Sequence, residues 1–134
     1  MIRLLDTNVF VGVIRGKKPL LAARYAATPT ADKRTCSVVV GELRAGALRS
    51  RSPAAEMAKV DALLAPLRSL PFDDPAARRY AEVRAALEAA ERPIADLDLM
   101  IAAIALVHGL VLVTHNTRDF ARVPGLALED WEVP

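Results

Sequence analysis

The chain predicts an α/β fold, a three-layer α/β/α arrangement around a central parallel sheet. Three observations carry that expectation. Short apolar runs alternate with helix-length patterned segments, as in chains built from parallel α/β units. The run Leu110 to Val113 is apolar on both faces, as expected at the centre of a parallel sheet. The first run, Ile2 to Leu5, passes directly into helix-capping residues. No repeat, low-complexity segment or linker interrupts the 134 residues, so one domain is expected over residues 1–134.

Asp6-Thr7-Asn8 supplies N-cap chemistry for a helix over Val9 to Ile14 that Gly16 ends. Pro19 opens a second helix, Leu20 to Ala27, which stops near Thr28-Pro29. Arg34 to Ser37 reads as a strand, and Ser37 is expected to cap a helix from Val38 to Arg49 with a core stripe of Val39, Val40, Leu43 and Ala47. Ser52-Pro53 starts a helix to about Leu67. Leu70-Pro71-Phe72 reads as a short strand. Asp74-Pro75 begins a long helix to about Glu91, with Tyr80, Val83 and Leu87 on one side and Pro93 closing it. The helix from Leu97 to His108 is the most apolar in the chain and is expected to be fully buried, with Asp96 as its N-cap and Gly109 as its stop. A loop and helical turn follow the strand Leu110 to Val113, and Leu126 to Leu128 reads as an edge strand.

Composition narrows the function. Hydrophobic residues make up 53% of the chain, enough for a real core, which argues against disorder. Aromatic residues make up only 4%, so platforms for stacking single-stranded bases are scarce. The lone Cys36 suits a reducing compartment. No apolar run reaches the length of a membrane span, and the N-terminus lacks a signal-peptide pattern, so a cytoplasmic protein without membrane partners is expected. The net charge is +2, from 18 basic and 16 acidic residues. If acids gather in one site, the remaining surface is more basic than that total. Most of the basic residues are arginines, suited to bidentate phosphate contacts.

Four acids stand where apolar segments end: Asp6, Glu42, Asp98 and Asp119. Carboxylates are rarely buried unless paired or bound to metal. Asp6 and Asp119 each follow a strand, and groups at the carboxyl ends of parallel strands gather at the switch in strand order. Glu42 lies in the first turns of its helix with small neighbours, Ala45 and Gly46, that leave its face open. Asp98 lies in the first turn of the apolar helix, and Asp96, two residues earlier, points elsewhere. Each acid alone has an ordinary reading: a helix cap for Asp6, a salt bridge to Arg44 or Arg49 for Glu42, a turn paired with Arg118 for Asp119, and a macrodipole partner for Asp98. Gathered together, they cannot all stay ionised without a compensating charge. Mg²⁺ or Mn²⁺ supplies it through oxygen ligands, whereas no Cys/His cluster has zinc spacing. Such a site suits phosphoryl chemistry on a metal-activated water. Thr7, Asn8, Thr114 and Asn116 are polar neighbours able to orient the carboxylates, or to serve as ordinary turn and capping residues.

The segments LLDTNVFVGVIRG, SVVVGELRAGA and RPIADLDLMIAAIALVHGLVLVTHNTRDFARVPGLALEDW resemble the PIN-domain ribonucleases, with the closest match to VapC toxins of bacterial toxin–antitoxin pairs. The resemblance runs over the whole chain, and the ordered set of motifs carries it. It implies that Asp6, Glu42 and Asp98 are the three main metal-site acids, with Asp6 and Asp98 holding the metal. Asp119 is implied as a fourth, more variable acid, and Thr114 and Asn116 as polar residues supporting the site; Thr7, as the polar neighbour of Asp6, is expected with them as a cofactor-binding group. It further implies Mg²⁺ or Mn²⁺ as cofactor, RNA as substrate, a VapB-type antitoxin as partner, and a homodimer. Ala95-Asp96 stand where relatives often carry Gly-Pro, so Asp96 could also shape the site. His115 stands where relatives often have Arg or Asn and could contact substrate. Arg15, Arg44 and Arg118 are candidates for the RNA backbone.

Two other readings belong beside this one. A non-catalytic PIN-like module that binds RNA or a partner would be expected to lack an acid, and none is missing. A phosphorylation-switch receiver needs adjacent acids after the first strand and a lysine after a late one. Here Asp6 stands alone and no lysine follows Val113.

Overall fold

A computed structural model describes residues 1–134. Five parallel strands form one sheet in the order β3-β2-β1-β4-β5: β1 (Arg3–Leu5), β2 (Lys33–Cys36), β3 (Arg68–Leu70), β4 (Val111–Val113) and β5 (Leu128–Glu129). Seven helices flank it: α1 (Thr7–Arg15), α2 (Pro19–Ala27), α3 (Ser37–Arg49), α4 (Pro53–Leu64), α5 (Asp74–Ala89), α6 (Asp96–His108) and the short α7 (Thr117–Phe120). The three-layer α/β/α expectation is met. Leu4 and Leu5 of β1 and Leu112 and Val113 of β4 have no exposed surface, as strands covered on both faces require.

The register pairs Leu4 with Leu112 and Leu5 with Val113, so β1 and β4 end level with each other. From β1 the chain builds outward to β2 and β3, then returns to the other side of β1 for β4. The switch in strand order therefore lies between β1 and β4, beside Asp6. At the outer edge, β3 exposes Arg68 and Ser69, polar groups that discourage further strand pairing.

One core of 26 buried side chains joins the layers, and α6 contributes Leu99, Ile101, Ala102, Ile104 and Ala105 to it. The expectation that α6 is fully buried needs correction, since Leu97 and Val107 are exposed at its two ends. Gly109 ends α6 with φ 64°, a left-handed conformation that glycine adopts without a Cβ penalty.

Several boundaries and caps differ from expectation. The helix expected to reach Leu67 stops at Leu64, and Leu67 turns into the core ahead of β3. That strand occupies Arg68–Leu70 rather than Leu70 to Phe72. Ser37 does not cap α3; its Oγ accepts a hydrogen bond from the Phe72 N–H, tying the start of α3 to the segment after β3. Asp96 is not the N-cap of α6. Ala95 holds that position, and Asp96 faces α5, where Arg84 lies 3.1 Å from it and the Tyr80 hydroxyl 3.4 Å. The last strand falls at Leu128–Glu129, where β4 offers a partner.

Gly12 is a feature that periodicity does not flag. A Cβ built there would lie 2.4 Å from Leu21 Cδ2, and Leu21 is itself buried in the contact between α1 and α2. Gly12→Val should therefore destabilise the fold by about 1–3 kcal/mol through overpacking. Chemical denaturation would show this as a lower midpoint with an unchanged slope, and an unchanged midpoint would mean that α2 shifts freely.

Candidate active site

Asp6 follows β1 directly, and its N–H donates to the Val113 carbonyl of β4 at 2.9 Å. Its side chain is thereby set at the crevice between the two strands. It is buried, and both of its oxygens are engaged. Oδ1 accepts from the Thr7 N–H at 2.8 Å, and Oδ2 accepts from Thr114 Oγ1 at 2.9 Å. Thr114 follows β4 as Asp6 follows β1, and it is also buried. Its hydroxyl accepts from the Asn116 N–H at 3.0 Å while donating to Asp6. Burial raises the Asp6 carboxyl above its ordinary value, the two hydrogen bonds hold it down, and the charge of Glu42 raises it further.

Glu42 reaches the same place from α3. Its Oε1 accepts from Thr7 Oγ1 at 2.6 Å. Thr7 thus serves both carboxylates, Asp6 through its backbone and Glu42 through its hydroxyl. The alternative partners of Glu42 fall away: Arg44 is instead bound to Asp61 at 2.8 Å.

Asp98, in the first turn of α6, is half-buried. Burial pushes its carboxyl up to about 6, and the charges of Asp6, Glu42 and Asp119 add to the rise. No hydrogen bond offsets these effects. All four acids predicted from the sequence therefore occupy one electrostatic neighbourhood, although they come from four different helical segments. Asp119 differs from the others in having a cation at hand. Asn116 Nδ2 donates to its Oδ2 at 3.2 Å, and Arg122 lies 3.7 Å from its Oδ1. The expected Arg118 partner is thereby replaced by Arg122.

The donor set fits a hard divalent cation. The four carboxylates and the hydroxyls and amide bonded to them, Thr7, Thr114 and Asn116, all offer oxygen, and Cys36 is buried with its thiol pushed up to about 11, largely by burial. As the side chains stand, however, no three acids converge on one position close enough to ligate an ion. Two of them are turned toward hydroxyls, and each such bond leaves a carboxylate with lone pairs to spare. Mg²⁺ commonly takes only one or two carboxylates and keeps several waters, so a closed cage of three acids is not required.

Two depressions flank the cluster, and Asn8 lines both. The larger, about 710 Å³, runs past Thr7, Glu42, Gly41 and Ala45 to Val38, Phe72, Leu97, Met100 and Arg49. Its open wall owes more to Gly41 and Ala45 than to Gly46. The smaller, about 470 Å³, is bordered by Arg15, Lys17, Lys18, His115 and Asn116. His115 Nδ1 lies 2.9 Å from Asp130 Oδ2, a pairing that sequence spacing did not suggest. The bond from the Asn116 N–H to Thr114 was legible, because Thr-x-Asn after a strand is a known local side-chain turn.

The PIN domain family matches residues 3–126. The tRNA(fMet)-specific endonuclease VapC of Shigella flexneri is 35% identical over 130 residues, covering 96% of each chain. Ribonuclease VapC of Haemophilus influenzae is 33% identical over 129 residues, again covering 96% of each. Among solved structures, DNA-bound VapBC from Salmonella typhimurium aligns with a TM-score of 0.91 at 34% identity over 98% of both chains. FitAcB from Neisseria gonorrhoeae aligns at 0.88 with 28% identity, over 97% of this chain and 98% of that one.

Proposed function

Because the chain belongs to the PIN domain family and, within it, to the VapC ribonucleases, we propose that residues 1–134 form one PIN domain. It acts as a Mg²⁺- or Mn²⁺-dependent endoribonuclease, the toxin of a VapBC-type pair. The observation that carries this reading is the gathering of Asp6, Glu42, Asp98 and Asp119 beside the β1–β4 switch, where Thr7 bonds both Asp6 and Glu42 and the neighbouring charges help raise the Asp98 carboxyl. Like charges brought together at a strand-order switch are stabilised by a cation.

Asp6 and Asp98 hold the ion. Thr114 and the Thr7 backbone fix the Asp6 carboxylate, Thr7 Oγ1 fixes Glu42, and Asn116 fixes Asp119. Glu42 and Asp119 complete the negative site, directly or through water, and Glu42, with lone pairs not taken by Thr7, would take up the proton of the attacking water. The bound ion supplies a water of lowered pKa and charge to set against the phosphate. No protein nucleophile is required. Asp96, drawn off by Arg84, takes no part.

The partner is a VapB-type antitoxin, consistent with the VapBC complexes among the structural relatives. The chain works as a homodimer, and its site of action is the cytoplasm. No helix is long and apolar enough to cross a membrane.

Calorimetric titration of the isolated chain with Mn²⁺ or Mg²⁺ tests the reading. Heat of binding is expected from the wild-type protein, with RNA cleavage that EDTA stops and added ion restores. Cleavage that persists in EDTA would refute the metal role. A chain that binds ion and RNA but cleaves nothing would favour the non-catalytic module.

A further inference from the structure

The second depression beside the acidic cluster has a chemistry that the cluster does not explain. Arg15 ends α1, and Lys17 and Lys18 follow it on the turn into α2. Across from them stand His115 and Asn116, with Asn8 between this depression and the larger one. Lys18 is neutralised by Glu132 at 2.7 Å, and His115 is held by Asp130. Arg15 and Lys17 are exposed and stand in no ion pair. Three cations, Arg15, Lys17 and Lys18, stand against Glu132 on the wall and Asp130 behind His115, which leaves the wall positive by one charge, beside a cluster of carboxylates that repels phosphate. An RNA backbone approaching the acids needs cations on one side to offset that repulsion, and this groove supplies them. The opposite approach, by the larger depression, offers Arg49 as its one cation, beside Glu42 and five hydrophobic side chains.

We infer that the groove between the α1–α2 turn and the His115-Asn116 loop carries the RNA phosphates adjoining the cleaved bond, with Arg15 and Lys17 as the two contacting cations. The inference rests on the ribonuclease reading and adds the side from which RNA enters. Unpaired cations bind phosphate mainly by counterion release, so their contribution shows in the salt dependence of binding. Arg44, engaged by Asp61 on the α4 side, is not part of this track.

The test uses fluorescein-labelled bulk tRNA as probe, with binding read by anisotropy in EDTA so that no cleavage intervenes. R15A/K17A should bind about tenfold more weakly at moderate salt, and the slope of log affinity against log salt should fall by about 1–2. R78A/R79A, an exposed cationic pair on α5 near the far end of α6, should bind as the wild type does. In cleavage assays with metal, R15A/K17A should raise KM about tenfold. Wild-type affinity in R15A/K17A, or an equal loss in R78A/R79A, would overturn the groove assignment while leaving the nuclease intact. A metal-loaded wild-type chain that cleaves no RNA would overturn the ribonuclease reading and the groove with it.

Discussion

Asp98→Asn should abolish RNA cleavage and, at the same time, make the metal-free protein more stable at neutral pH. The loss of activity should be on the order of 10³-fold or more, as expected when one member of a cooperating set is removed. The gain in stability follows from linkage. Asp98 titrates near 3.8 when unfolded and at about 6 in the fold. The folded state therefore binds this proton more tightly, and the ionised carboxylate is a burden to folding above about pH 6. Stability should rise as pH falls from 7 toward 5, and the gain is complete below the unfolded value. The full gap would correspond to ~3 kcal/mol. Asp98 is partly exposed, and solvent screening brings this to ~1 kcal/mol. Melting in EDTA should show Asp98→Asn higher than wild type by about 3–5 °C at pH 7.5, with the difference shrinking at pH 5. Glu129, held below its usual range by Arg3, works in the opposite sense and limits the gain at lower pH. A variant that melts lower than wild type at pH 7.5 would show that the Asp98 charge is already compensated within the protein. Asp6→Asn should likewise lose cleavage and growth inhibition while keeping its fold.

The same residues show what a sequence discloses and what it withholds. Asp6 and Asp119 were legible because each follows a strand, and strand ends in a parallel sheet are brought to one edge by topology; Glu42 and Asp98 were legible because each lies in the first turns of a helix with an apolar stripe or face. Helix spacing also separated Asp96 from Asp98, since residues two apart leave a helix in different directions. It did not reveal what Asp96 would meet. That depends on α5 packing beside α6, which places Arg84 and Tyr80 at its carboxylate. The assignment of Asp96 as a cap failed for that reason: a charge with a guanidinium in reach has a better partner than a backbone N–H. Ser37 failed in the same way, drawn to Phe72 across 35 residues. Thr7 was expected to support Asp6 and also binds Glu42, because α1 and α3 happen to present these groups to each other. Local chemistry is written along one element, whereas partners across elements depend on packing that periodicity leaves open.

Thr114→Val is the sharpest test of how the site is held. The substitution keeps the shape of a fully buried side chain and removes one hydroxyl. That hydroxyl donates to Asp6 and accepts from Asn116, so its loss strips two groups of a partner at once. Leaving both unsatisfied should cost about 2–4 kcal/mol of stability. The effect on the site follows from the Asp6 titration, where the Thr114 bond is the largest influence opposing burial. Without it the carboxyl rises further and is freer to rotate. Metal affinity should then fall by about 10–100-fold, as for loss of other groups that orient a ligand. Mn²⁺ titration at pH 7 should show this fall in Thr114→Val. Thr114→Ser, which retains the hydroxyl, should recover most of the affinity while still losing the packing of one methyl group. A purely structural role would lower the stability of both variants without separating their affinities. Equal Mn²⁺ affinity in Val and Ser would therefore mean that Asp6 is held by Thr7 and its backbone alone.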